Sequence, residues 1–182
     1  MDKTIKQYDK IIVSTRDTFE KKALDYGTTW RILRPRSIID QLFIKAKRIR
    51  SIQITGQNKV NESVEGEFAA IYNYSIIALI QLDLGYTDEP DLNVNKAMEL
   101  YDKKSDEIKN LMIAKNHDYG EAWRDMQISS MADFILVKIF RIKQILSNDG
   151  KTKISEGIDS NLMDIANYAV FALILLNQKN KL

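Results

Sequence analysis

The chain has 182 residues, with 27 Lys and Arg against 25 Asp and Glu and a formal net charge of +2. Acids and bases are interspersed, so no basic face or block argues for nucleic-acid binding. There is no Cys, which excludes disulfides, thiolate metal sites and cysteine nucleophiles. That composition fits a reducing, cytoplasmic setting. With 7 Gly and 2 Pro, it suits long helices better than a turn-rich β fold. The N-terminus is charged and lacks an apolar signal core. Apolar runs such as 169–176 are shorter than the ~20 residues that cross a bilayer.

The chain repeats itself. Asp25-Tyr-Gly-Thr-Thr-Trp30-Arg31 returns as Asp118-Tyr-Gly-Glu-Ala-Trp123-Arg124, and Tyr8-Asp9-Lys10 returns as Tyr101-Asp102-Lys103. At the same spacing Ser37, Asp40, Lys45, Arg48 and Ile49 match Ser130, Asp133, Lys138, Arg141 and Ile142. One inserted residue later, Glu62, Ile71, Asn73, Tyr74 and Ala78 match Glu156, Ile165, Asn167, Tyr168 and Ala172. The register holds through 8–82 and 101–176, which makes this a tandem duplication.

Each copy reads as three helices. The first spans roughly 5–24 or 95–116 and ends at the Asp-Tyr-Gly, where Gly can adopt the left-handed cap conformation. The second starts at Ser37 or Ser130, as N-caps whose acids three residues on complete a capping box. The third starts near Asn61 or Ser155, after separators at Gly56–Asn58 and Asn148–Gly150. Residues 83–100 carry Gly and Pro and read as the connector. The expectation is an all-α six-helix bundle. Two three-helix repeats, 1–86 and 87–182, would pack as one compact domain about a pseudo-twofold axis.

The third helix of the second copy gathers Glu156, Asp159, Asp164 and Asn167 on one stripe. Oxygen ligands on one face are what Mg²⁺ or Mn²⁺ requires. Acids near a helix N-terminus account for Glu156 and Asp159 equally well, but not for Asp164 in mid-helix. Asp133 is a further candidate ligand. Lys138 and Arg141 share a helix face and suit a polyphosphate. Tyr119 and Trp123 offer rings for a base, and Arg124 a phosphate contact. The plainer alternative makes Trp30 and Trp123 core anchors. His117, the only histidine, has no evident partners for a catalytic triad.

The pattern K-x-x-D-Y-G-x-x-W, then S-x-x-D-x-x-x-x-K-x-x-R-I, then E-x-x-[DE] and N-Y, resembles the bacterial and phage nucleotide-modification-associated domain family, type 1. The resemblance covers both copies and implies a setting in modified-nucleotide metabolism. More distantly, Glu156-x-x-Asp159 is similar to the second acidic motif of the all-α nucleoside triphosphate pyrophosphatases of the MazG and dimeric dUTPase kind. Their first motif is missing: Asp133 is followed instead by Lys138 and Arg141. That likeness implies a metal-dependent pyrophosphohydrolase. Glu156, Asp159, Asp164 and Asp133 would hold Mg²⁺, with Asp164 and Glu156 central to catalysis. Lys138, Arg141 and Arg124 would hold the phosphates, and Tyr119 or Trp123 the base. Asp164 corresponds to Ala70 in the first copy, so the second copy is expected to carry the working site. The alternative is a non-catalytic nucleotide-binding or assembly module. A small-molecule nucleotide is the expected partner, a membrane is not, and homo-oligomers are left open.

Overall fold

The computed structural model describes residues 2–59 and 62–179, and every described regular element is helical. The helices are α1 (Asp2–Tyr26), α2 (Pro35–Thr55), α3 (Val64–Leu84), α4 (Val94–Tyr119), α5 (Ile128–Ser147) and α6 (Ile158–Lys179). One-turn 3₁₀ helices, Thr29–Ile32 and Ala122–Asp125, precede α2 and α5. The order helix, 3₁₀ turn, helix, helix therefore occurs twice.

The helix ends follow from local chemistry. Gly27 closes α1 at φ 70°, and its N–H donates to the Ala23 carbonyl. A side chain there would be strained in the left-handed region. Ser63 caps α3 by accepting from the Gly66 amide at 3.0 Å, and Asn93 caps α4 by accepting from the Lys96 amide at 2.8 Å.

Ser37 and Ser130 are not N-caps. Arg34 and Gln127 occupy those positions in extended conformation, which places each Ser in the first turn. In the first copy Pro35 sets this start, because its ring fixes a helical φ and forces the preceding residue to be extended. Asp40 and Asp133, freed from capping, pair instead with Lys143 and Arg50. The third helices begin later than expected, at Val64 and Ile158; Asn61 lies outside the described residues. The connector shortens to residues 85–93, because α3 continues through Leu84.

Helices α3 and α6 run side by side at the centre, flanked by α2 and α5, which also meet each other. Helices α1 and α4 lie outside, each against both α3 and α6. The two central helices are buried on nearly all sides from Ile71 to Gln81 and from Leu162 to Leu175. A helix apolar around its whole circumference must be covered on every side. α6 is long and apolar enough to cross a membrane, yet 72% of its apolar window is buried inside the protein, as in a core helix.

Several polar contacts between or within the copies have a counterpart at the equivalent positions. Tyr8 donates to Asn167 Oδ1 at 2.8 Å, and its counterpart Tyr101 donates to Asn73 Oδ1 at 2.8 Å. Asn73 Nδ2 donates to the Thr15 carbonyl, and Asn167 Nδ2 to that of Ile108, the residue matching Thr15. Arg16–Asp102 is answered by Lys109–Asp9, and Lys143–Asp40 by Arg50–Asp133. These contacts recur at repeat-equivalent positions of the two copies. The buried tyrosine–asparagine pairs also satisfy polar groups that would be costly alone.

Candidate functional site

In the second copy, α6 carries Asp164 into the interior, 6% exposed, and two lysines meet it there. Lys115 Nζ of α4 lies 2.5 Å from Oδ1, and Lys138 Nζ of α5 lies 2.6 Å from Oδ2. Glu156, mostly exposed, stands 3.9 Å from the same Lys138. Burial by itself lowers the Lys115 pKa. The hydrogen bond and charge of Asp164, helped by Glu156, outweigh it and leave the pKa raised. Asp164 is thus an acid in mid-helix because two cations from neighbouring helices pair with it.

This arrangement does not assemble the expected metal set. Both Asp164 oxygens already accept from ammonium groups, Asp159 is exposed, and Asp133 pairs with Arg50 at 3.6 Å. Among the described residues no three of His, Asp and Glu cluster in a metal-binding group. The donor set as it stands does not fit Mg²⁺ or Mn²⁺, which needs several oxygens converging.

The expected nucleotide contacts are also dispersed. Trp123 is 5% exposed, with its ring stacked on Phe171 at 4.4 Å and 3° and the Arg124 guanidinium 4.4 Å from the same ring's centre. It is a core anchor rather than a platform for a base. Arg124 is committed to Glu121 at 2.5 Å, to Thr4 at 2.5 Å and to Gln7 at 2.9 Å. The Thr4 and Arg124 hydrogen bonds hold the Glu121 carboxyl below its ordinary pKa. Tyr119 is 76% exposed. Arg141 is exposed on α5, with no hydrogen bond or ion pair among the described residues.

The open site lies in the first copy. A cavity of about 520 Å³ is bounded by the C-terminal part of α1, the first 3₁₀ turn, Lys45 of α2 and the first half of α3. Phe19, Tyr26, Trp30 and Tyr74 supply ring surface, and Lys22 and Lys45 supply cations. Lys45 lies over the Tyr74 ring at 5.7 Å and reaches the buried Glu67 at 3.5 Å. Arg48 pairs with Glu67 and, at 2.5 Å, with Glu62. Lys22 is exposed and has no ion-pair partner among the described residues.

The sequence explains the cavity in the first copy. Where α3 carries Gly66, Ala69, Ala70 and Ile77 along the cavity, α6 carries Ser160, Met163, Asp164 and Phe171. Each change adds bulk at an equivalent position. Phe171 takes up the space beside Trp123, and Asp164 draws in the two lysines. Sequence reasoning treated Ala70 as the loss of a ligand. It missed that a run of small residues on a central helix leaves room for one. Lys22, the first residue of the K-x-x-D-Y-G pattern, carries no sign of this role in the sequence.

The first 3₁₀ turn is held differently from its counterpart. Arg31, 2% exposed, donates to Asp91 at 2.6 and 3.1 Å, to the Gly85 carbonyl at 2.6 Å and to Gln81. The Arg31 hydrogen bond holds the Asp91 carboxyl below its ordinary pKa. Gln81 returns donors to the carbonyls of Arg31 and Leu33, and Thr28 donates to the Leu92 carbonyl. The connector thereby fixes one wall of the cavity.

The family model described as nucleotide modification associated domain 1 matches the chain twice, over residues 22–82 and 115–176. Both matches begin in the last turns of α1 and α4, so each includes its lysine, Lys22 or Lys115. No curated protein and no solved structure matched the chain. With two matches in register with the repeat and together spanning well over half its length, the chain belongs to the nucleotide modification associated domain 1 family, as a tandem pair of that domain.

Proposed function

We propose that the protein is a nucleotide-binding module of a nucleotide-modification system, with its binding pocket in the first copy. The observation that carries this is the 520 Å³ cavity, which combines four aromatic side chains with two lysines. Its volume falls in the range of small-molecule sites, ~300–1,000 Å³. Aromatic rings suit a base, and ammonium groups suit phosphates. The family's description supplies the nucleotide setting. A free nucleotide fits a pocket of this size on a chain of near-balanced charge better than a nucleic acid does, and the setting proposed is cytoplasmic.

Metal-dependent pyrophosphohydrolysis is the second reading, and one observation favours it: Glu156 and Asp164 converge on the same Lys138. It would require the lysines to yield Asp164 to a cation. Titration calorimetry with nucleosides and their mono- and triphosphates tests the first reading. Wild-type protein is expected to bind a nucleotide, and Tyr74→Ala to weaken binding about tenfold, the scale of one lost aromatic contact. Failure to bind any common or modified nucleotide would overturn it. Pyrophosphate release that needs Mg²⁺ or Mn²⁺ and disappears in Asp164→Ala would establish the hydrolase instead.

A further inference from the structure

The two copies hold the same pair of lysines, but only one pair has a carboxylate between them. In the second copy Lys115 and Lys138 converge on Asp164 at 2.5 and 2.6 Å. Their counterparts by repeat register are Lys22 and Lys45, and Asp164's counterpart is Ala70. All three line the open cavity. The methyl group of Ala70 contributes no charge, and Lys22 has no ion-pair partner among the described residues. Lys45 retains Glu67 at 3.5 Å, a longer contact than either lysine makes with Asp164.

We propose that Lys22 and Lys45 form an anion subsite for the phosphate group of the ligand, at the position where the second copy seats its own Asp164 carboxylate. The inference rests on the pocket being a nucleotide site, and it assigns the end of the pocket at which the phosphate lies. Asp164 is in effect a built-in oxyanion, showing how two ammonium groups on the outer and second helices close on a negative oxygen pair. A phosphate monoester has the same requirement, with more charge and more acceptor oxygens. Arg48 and Lys45 together offset the two carboxylates Glu62 and Glu67, which leaves Lys22 as the charge in excess to attract the incoming anion. The rings of Phe19, Trp30 and Tyr74 then face the less polar part of the ligand. The second copy, filled by its own side chains, takes no ligand.

The test grafts the plug from one copy to the other. Ala70→Asp places a carboxylate between Lys22 and Lys45, in a cavity with room for it. Pyrophosphate and a nucleoside monophosphate are the probes for the phosphate end, and the unphosphorylated nucleoside is the control. For wild type, the monophosphate is expected to bind at least tenfold more tightly than the nucleoside. Ala70→Asp is expected to lose at least tenfold in affinity for pyrophosphate and monophosphate, with nucleoside binding nearly unchanged. Lys22→Gln, at an exposed position that the fold does not need, is expected to show the same selective loss. Asp164→Ala is expected to raise pyrophosphate stoichiometry from one site to two. Unchanged monophosphate binding by folded Ala70→Asp and by Lys22→Gln would overturn the subsite and leave the nucleotide pocket standing. Pyrophosphate binding that Ala70→Asp removes, with no added affinity from any nucleoside, would keep the subsite and overturn the nucleotide reading. Failure of wild type to bind either probe would overturn both.

Discussion

The two copies meet the same problem, a pair of lysines beside a central helix, with acids one helical turn apart. In the first copy the acid is Glu67, buried at 4% exposure and paired with Lys45 and Arg48. At the equivalent position the second copy has Asn161, and its acid, Asp164, comes three residues later, where the first copy has Ala70. A shift of one turn keeps the side chain on the same helix face but moves the charge along the axis by about 5 Å. In the second copy this brings the carboxylate within reach of α4, so Lys115 folds in and the site closes. In the first copy the acid is held by α2 alone, Lys22 stays at the surface and the space persists. Moving one charge by one turn separates a filled half from an open one.

The comparison breaks most visibly at the two tryptophans. Trp123→Ala removes a ring stacked on Phe171 and is expected to cost about 3–5 kcal/mol, the range for large buried aromatics. Trp30→Ala, at the wall of a cavity, should cost about half as much, since fewer neighbours lose their contacts. Urea midpoints of the two variants decide this, and equal losses would mean the open copy is packed as tightly as the filled one.

The arginines of the repeated motif should diverge next. Removing the Arg31 side chain strands the buried Gln81 Oε1 and the Gly85 carbonyl and releases the connector, at about 2–4 kcal/mol. Arg124→Ala, on a half-buried side chain bound to Thr4, Gln7 and Glu121, should cost about 1 kcal/mol. Protease cleavage within 85–93 is expected to accelerate in the Arg31 variant and not in the Arg124 variant.

Where the copies are reciprocal, the variants should agree. Tyr8→Phe and Tyr101→Phe each remove one hydroxyl from a buried asparagine and should each cost about 1–2 kcal/mol, the 3.3 Å contact of Tyr101 with Thr15 Oγ1 adding little at that length. Values that differ by more than the experimental error would show that the exchanged pairs are not equivalent, as would a poor superposition of residues 8–82 on 101–176 in an experimental structure.

The smallest effect is a pH dependence. The Lys115 pKa is raised in the folded protein, so its pairing with Asp164 contributes fully below the ordinary lysine value and is lost as pH rises through the folded one. Melting followed through the alkaline range should decline more steeply for wild type than for Asp164→Asn. Parallel curves would mean that solvent already screens the pair, since Lys115 is 43% exposed.

The helices, their repeated order and the family were legible in the sequence because they are properties of local pattern. Apolar spacing, the Asp-Tyr-Gly cap and register-preserving identities depend on few residues at short range. Helix starts were less legible: the serines three residues ahead of an acid look like caps, and only the geometry set by Pro35 shows that the helix has already begun. The acids were legible, but not their partners. A carboxylate at a given spacing looks the same whether oxygen ligands or lysines approach it, and those approach from other helices.

By itself, then, the sequence determined that this protein would be two copies of one helical unit and roughly where those helices lie. It also held, in Gly66, Ala69 and Ala70 against Ser160, Met163 and Asp164, the difference that opens one copy. Only the tertiary structure decided what that difference means. Whether a small side chain leaves a cavity, and whether a buried acid meets a cation or waits for a metal, depends on residues far apart in the chain. Lys115 is 49 positions from Asp164 and Lys138 is 26, and the pairing of charges follows distance in space.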